Sequence, residues 1–303
     1  MGIARVVAAT DFSPEADLAL THAVAIAQRH GAALTLVFAE PDAPPEKDTS
    51  RSATAEQFAA MAAAEIAEAQ RQLARRAEEL RGRAPGLVVD TVLRPGAPDE
   101  VIADVAAELG AQLTVVGTHD HHGLRHFFRG SVAERVVKRT PEWSLVARGP
   151  APPAGAFARV LVATDFSDAA QAALRAAIAL VAPDGVLDVL HAWQHPLGLW
   201  SSVIEKVGAF AALRDAIIAK ASAGAKQVTD DAAALGRTVA VELRQGVPGT
   251  TISHVAASGN YDLVAVGTHG HRGMRRLLLG SVAESVVRST ACSVLVAHAP
   301  PRA

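Results

Sequence analysis

The chain has 303 residues, half of them hydrophobic and a fifth charged, with a formal net charge of −2. That length holds two ordinary domains with full cores, and the near-neutral balance gives no global argument for nucleic acid or an anionic membrane as a partner. A single cysteine, Cys292, excludes an internal disulfide framework and fits a reducing compartment; it reads as a small buried apolar residue with nothing basic beside it to activate the thiol.

The opening Arg5–Ala9 run, followed by polar Thr10-Asp11, predicts a buried strand and not a signal-peptide core. Met1-Gly2 resembles a myristoylation start, but Val6 stands where that motif needs Ser or Thr. No segment approaches the roughly 18 uninterrupted apolar residues of a membrane span, so a cytoplasmic protein is expected. Ser13 offers an N-cap oxygen and Pro14 suits the first helical position, so a helix is expected from there to about His30, closed by Gly31. Strand Leu34–Ala39 and a Pro-rich, charged loop from Glu40 to Arg51 come next. An Ala-rich amphipathic helix over Phe58–Arg81 follows. Strand Leu87–Leu93, helix Pro98–Leu109, strand Leu113–Val116, helix Ser131–Arg139 and strand Ser144–Ala147 complete the half.

The second half repeats this order: Arg159–Ala163, Ser167–Val181, Leu187–His191, a helical region from Val203 to Leu235, Val239–Leu243, Pro248–Ala257, Leu263–Val266, Ser281–Ser289 and Val294–Ala297. Ala4–Ser13 matches Ala158–Ser167 at 8 of 10 positions, and Val116–Thr140 matches Val266–Thr290 at 15 of 25. Two homologous domains are expected, 1–148 and 158–303. They are joined by a Pro/Gly/Ala linker over 149–157, whose prolines make it semi-rigid. Continuously apolar strands alternating with helices indicate an α/β fold: two doubly wound domains, each a parallel sheet covered by helices on both faces. Ligands of such sheets bind beyond the carboxyl ends of strands, where Asp11, Asp165, Gly117 and Gly267 fall.

One constellation carries chemistry. Gly267-Thr268-His269-Gly270 is followed after nine residues by Gly280-Ser281. Gly267 lets a ligand approach the backbone, Gly270 removes a second Cβ, and Gly280-Ser281 opens a helix whose first N–H groups lack intrahelical partners. Such a point suits an anion, most simply a phosphate chain. The structural alternative is that Ser281-x-x-Glu284, like Ser131-x-x-Glu134, is a capping box needing no ligand. Asp165 could accept from a sugar hydroxyl or base, or help hold Mg²⁺.

Taken together, Ala163-Thr164-Asp165-Phe166-Ser167, Gly246-Val247-Pro248, Val266-Gly267-Thr268-His269-Gly270, Gly280-Ser281-Val282-Ala283-Glu284 and Val294-Leu295-Val296-Ala297 resemble the universal stress protein family, as a tandem covering nearly the whole chain. The resemblance implies five-stranded parallel sheets of order 3-2-1-4-5, pairing of domains through the last strand, and ATP binding, with or without Mg²⁺, where the glycine pattern is complete. It places Asp165 and the region of Ala192 near adenosine, and counts Ala163 and His269 among the nucleotide-binding residues. Gly267 and Gly270 fall near ribose and phosphate, and Gly280, Ser281 and Val282 at the phosphates.

The first half keeps Asp11, Gly117, Gly130 and Ser131 but carries Asp120 where the second has Gly270. A carboxylate about 4.5 Å from a phosphate charge costs on the order of 3–4 kcal/mol at an effective dielectric near 20, more than one helix terminus returns. The first site is therefore expected to be degenerate, unless a cation on Asp120, or Arg125 and Arg129, offsets the charge. His119, Asp120, His121 and His122 form a weak metal candidate against the plainer reading of a polar exposed loop. The second half keeps only His269 and His271 there, which argues against a metal site common to both halves. The Gly-Lys-Ser/Thr ending of a Walker loop is missing, so no electrophile for fast phosphoryl transfer stands out.

The leading expectation is an ATP-binding stress sensor or regulator with at most slow hydrolysis. It would pair its domains internally, form a homodimer or not, and act on unidentified protein partners. The alternatives are an adaptor with empty sites, a metal-binding variant through the first half's His-rich loop, and an adenylyl- or phosphoryl-transfer enzyme.

Overall fold

The structure is a computed structural model, and it describes residues 2–40, 55–118, 131–194, 208–268 and 279–299. The chain divides into two compact units, Met1–Gly155 and Ala156–Ala303. In the first, β1 (Arg5–Ala9), α1 (Pro14–His30), β2 (Ala33–Glu40), α2 (Ala55–Arg83), β3 (Val89–Pro95), α3 (Pro98–Leu109), β4 (Leu113–Val116), α4 (Val132–Arg139) and β5 (Trp143–Val146) follow in order. In the second come β6 (Phe157–Ala163), α5 (Asp168–Leu180), β7 (Val181–Trp193), α6 (Gly208–Ala234), β8 (Ala240–Gln245), α7 (Pro248–Ser258), β9 (Leu263–Gly267), α8 (Ser281–Ser289) and β10 (Ser293–Ala297).

Each unit is a doubly wound α/β domain with a five-stranded parallel sheet. The spatial order is β3-β2-β1-β4-β5 in the first and β8-β7-β6-β9-β10 in the second, which is 3-2-1-4-5 in both. Leu113–Val116 of β4, inside the first sheet, and Ser293–Ala297 of β10, the last strand of the second, are buried at every position. Burial on both faces explains why these strands read as unbroken apolar runs and not as alternating ones. In each unit the order reverses between the first and fourth strands, and a crevice opens beyond their carboxyl ends.

Local chemistry fixes α1. The Ser13 hydroxyl accepts from the Ala16 N–H, Pro14 begins the helix, and Gly31 at φ 62° ends it by donating to the Ala27 and Gln28 carbonyls. The left-handed φ at Gly31 costs glycine nothing. Residues Pro153–Gly155 form a 3₁₀ turn against α1. A Cβ on Gly155 would stand 2.1 Å from the Ala25 carbonyl oxygen, so only glycine lets the turn pack this closely.

Two expectations need correction. The second strand of the second unit does not wait for Leu187: β7 begins at Val181 and runs to Trp193. Its pairing with β6 shifts register between Phe157 and Arg159, so residues around Pro183-Asp184-Gly185 bulge out of the ladder. Arg237 donates to the Ala182 and Pro183 carbonyls and satisfies the bulge from outside. The Pro-Asp-Gly signature marked a bulge within a strand and not its boundary. Cys292 is half-buried and not part of the sealed core, because it lies in the bend that leads into β10. The loop from Glu40 to Arg51 lies outside the described residues beyond Glu40 itself.

Candidate nucleotide site

The repeated Thr-Asp-Phe-Ser at each crevice builds one turn in which successive side chains cap successive backbone donors. In the first unit Phe12 N–H donates to Thr10 Oγ1 at 3.0 Å, Ser13 N–H to Asp11 Oδ1 at 3.0 Å and Ala16 N–H to Ser13 Oγ at 3.2 Å. In the second unit Phe166 N–H donates to Thr164 Oγ1 at 2.9 Å, Ser167 N–H to Asp165 Oδ1 at 3.1 Å and Ala170 N–H to Ser167 Oγ at 3.3 Å. The turn forces a positive φ on a bulky residue, 63° at Phe12 and 66° at Phe166. Such values are uncommon outside glycine and cost energy, which marks a locally determined loop. The strained residues place their rings on the second strand: Phe12 stacks on Phe38 at 4.9 Å, and Phe166 lies on His191 at 4.5 Å. His191 Nδ1 is also 2.7 Å from the Thr164 carbonyl oxygen, and that acceptor fixes Nδ1 as the protonated nitrogen. Sequence reasoning missed this turn; its signal was the Thr-Asp-Phe-Ser string shared by both halves.

Gly117 and Gly267 serve the fold more directly than expected. A Cβ on Gly117 would stand 2.5 Å from the Glu15 carbonyl oxygen, and one on Gly267 would stand 2.6 Å from the Ala169 carbonyl carbon. Each glycine lets the first turn of α1 or α5 pack against the end of β4 or β9.

The two helix starts differ. In the first unit Ser131 is the N-cap of α4 and accepts from Glu134 N–H at 3.2 Å. In the second unit Gly280 is the N-cap, α8 begins at Ser281, and no side chain caps it. The expectation of a capping box at Ser281-x-x-Glu284 is therefore corrected: Gly280 N–H donates to the Thr268 carbonyl at 2.7 Å, which starts the helix one residue earlier. Glu284 instead pairs with Arg288 along the helix. Ser281 and Val282 are exposed at this uncapped end, where N–H groups suit an anion.

In the second unit Ala163 and Asp165 lie at the end of β6, Ala192 near the end of β7, Gly267 at the end of β9, and Gly280, Ser281 and Val282 at the start of α8. Elements beyond the switch point thus bring these residues to one end of one sheet. His269 and Gly270 lie outside the described residues, as do His119, Asp120, His121, His122, Arg125, Arg129 and Gly130 of the first unit and His271 of the second. Among the described residues no group of three His, Cys, Asp or Glu side chains could hold a metal ion.

In the first unit the described residues line a cavity of about 620 Å³ at the switch point. Its walls come from the end of β1 (Ala9, Thr10, Asp11), the start of α1 (Ser13, Glu15, Ala16), the end of β2 (Phe38, Ala39), α3 (Pro98, Ile102), the end of β4 (Val116 to Thr118) and the start of α4 (Ser131 to Ala133). Such a volume falls in the range of small-molecule sites. Sequence reasoning missed Glu15, for which the second unit has Ala169, and Phe38, for which it has His191.

The universal stress protein family model matches residues 2–148 and again 156–298. The chain belongs to the universal stress protein family. It is 39% identical over 77 residues to a universal stress protein of Methanocaldococcus jannaschii, a match that spans a quarter of this chain (25%) and less than half (45%) of that protein. A Staphylococcus haemolyticus relative named for the same family is 31% identical over 145 residues, spanning 48% of this chain and 84% of that one. Among solved structures, a universal stress protein from Archaeoglobus fulgidus shares the fold with a TM-score of 0.65 at 18% identity, covering 98% of this chain and 96% of that chain. A structure from Pseudomonas aeruginosa named for the same family gives 0.61 at 17% identity, covering 98% and 93%. No described helix is long and apolar enough to cross a membrane.

Proposed function

We propose that the second unit binds ATP, with Mg²⁺ as companion ion, and that the protein acts as a cytoplasmic sensor or regulator in the stress response. The observation that supports this most is the uncapped start of α8, with Gly280 as N-cap and Ser281 and Val282 exposed. Three N–H groups there lack side-chain acceptors, and the N-terminal charge of a helix favours an anion by about 0.3–1 kcal/mol, more when partly buried. Beside it stand the bare strand end at Gly267 and the Asp165 carboxylate, one oxygen of which is held by Ser167 N–H. That fixed carboxylate has acceptor capacity for a ribose hydroxyl. His191, held by Thr164 and Phe166, walls the base side. In this reading the phosphates lie at the start of α8, by Gly280, Ser281 and Val282.

Hydrolysis in this reading is slow, since the chain has no phosphate-loop lysine to stabilise a transferring phosphoryl group. The protein then signals by occupancy, through a homodimer or protein partners that read the liganded surface. Mass spectrometry of the denatured purified protein tests for co-purified adenine nucleotide, and calorimetry tests Mg-ATP. Gly270→Asp, which copies the first half, is expected to abolish binding. No bound nucleotide and no calorimetric signal would remove the proposal; saturable turnover in seconds would replace it with an enzyme.

A further inference from the structure

We infer that the first-unit cavity takes an unphosphorylated nucleoside, a flat heteroaromatic ring carrying hydroxyls and no anionic group. The inference rests on the reading of these crevices as purine sites, and it gives the two units different ligands. The walls are apolar where a ring would lie: Phe38, Ile102, Val116 and Val132 line the cavity. The Phe38 ring is already stacked on Phe12, with ring planes 22° apart, so little ordering is left for a ligand to impose.

Charge sets the rest of the ligand. Glu15 is the charged lining side chain that the second unit lacks, and no Lys, Arg or His is among the described lining residues. Carboxylates accept from hydroxyls and repel phosphates. The second unit has Ala169 in the place of Glu15, so this repulsion belongs to the first unit alone. The helix start adds to the difference. Ser131 Oγ already occupies Glu134 N–H, leaving the α4 terminus with one donor fewer for an anion than the uncapped α8.

Full-length protein labelled at isoleucine δ1-methyls separates the two sites. Ile102 lines the first cavity, and Ile252 holds the equivalent place on α7. Ile102→Val and Ile252→Val assign the two signals. Adenosine is expected to shift Ile102, and Mg-ATP to bind there at least about tenfold more weakly, a difference of about 1.4 kcal/mol. Glu15→Ala is expected to tighten AMP binding read at Ile102 about tenfold and to leave adenosine within about twofold. Mg-ATP acting on Ile102 as tightly as adenosine, adenosine leaving Ile102 unmoved, or Glu15→Ala leaving AMP affinity unchanged would each overturn the inference. Ile252 reports the ATP proposal separately. Its silence toward Mg-ATP would remove that proposal while an adenosine response at Ile102 would still support this one.

Discussion

Asp99, only 4% exposed near the start of α3, receives the Nε–H of Arg135 from α4 at 2.8 Å. Arg139 meets its other oxygen at 2.8 Å. Two helices are thereby joined through one buried carboxylate. The second unit has Gly249 and Ser285 in the corresponding places, and there a Cβ on Gly249 would stand 2.3 Å from Ser285 Oγ. The same helix pair is held by charge in one unit and by close approach in the other.

Burial alone would raise the Asp99 carboxyl, but the Arg135 hydrogen bond and charge, with Arg139, hold it below the ordinary carboxylate value. A depressed folded value means that the contribution is present above the unfolded carboxylate range and drains as pH falls below about 4 through the lowered value. Asp99→Asn is expected to cost about 2 kcal/mol at pH 7, the scale of hydrogen bonds to a charged group. Urea midpoints at pH 7 and pH 3 check this: the gap between wild type and variant should narrow in acid. An equal gap at both would assign the role of Asp99 to packing.

Gly267→Ala and Gly117→Ala are each expected to cost about 1–3 kcal/mol without any ligand present, since the new methyl meets helix backbone that cannot swing away. Ligand-free chemical unfolding is the measurement. Unaltered stability together with lost nucleotide binding would make these glycines ligand-facing only.

Ser131→Ala removes an N-cap and should lower stability by about 1 kcal/mol. Ser281→Ala lies inside the first turn of α8 and should change stability by less than about 0.5 kcal/mol. Its Mg-ATP affinity should fall about fivefold, the loss of roughly one net hydrogen bond. Melting curves and calorimetry on both variants read this crossover. Equal destabilisation by the two substitutions would mean that Ser281 caps its helix after all.

Tyr261 is the single tyrosine of the chain. Burial, then a 2.6 Å hydrogen bond donated to Asp188 Oδ2, pushes its phenol up to about 12. Absorbance titration at alkaline pH should show ionisation near that value in native protein and near the ordinary value of about 10 in urea. A raised folded value means that the neutral phenol stabilises the fold fully below pH 10, and that this is lost as pH rises toward 12. Tyr261→Phe should flatten that alkaline loss. A native transition near pH 10 would show the phenol to be solvated and the Asp188 contact absent.

The amino-acid sequence determined by itself what depends on neighbours along the chain. The strands read as apolar runs because both sheet faces are covered, and α1 could be bounded because Ser13, Pro14 and Gly31 act on their own backbone. The duplicated Thr-Asp-Phe-Ser and Gly-Ser-Val-Ala-Glu strings marked the repeat and the family. Tertiary structure decided what depends on chain distant in sequence. Gly-Ser-Val-Ala-Glu occurs identically at 130–134 and 280–284, yet Ser131 caps one helix and Gly280 the other. Identical local sequence cannot choose between two caps, whereas the Gly280 bond to the Thr268 carbonyl can. The cavity walls at Phe38 and Glu15 likewise follow from strand order and from helix packing on Gly117, where a backbone contact, and not a local preference, sets the shape.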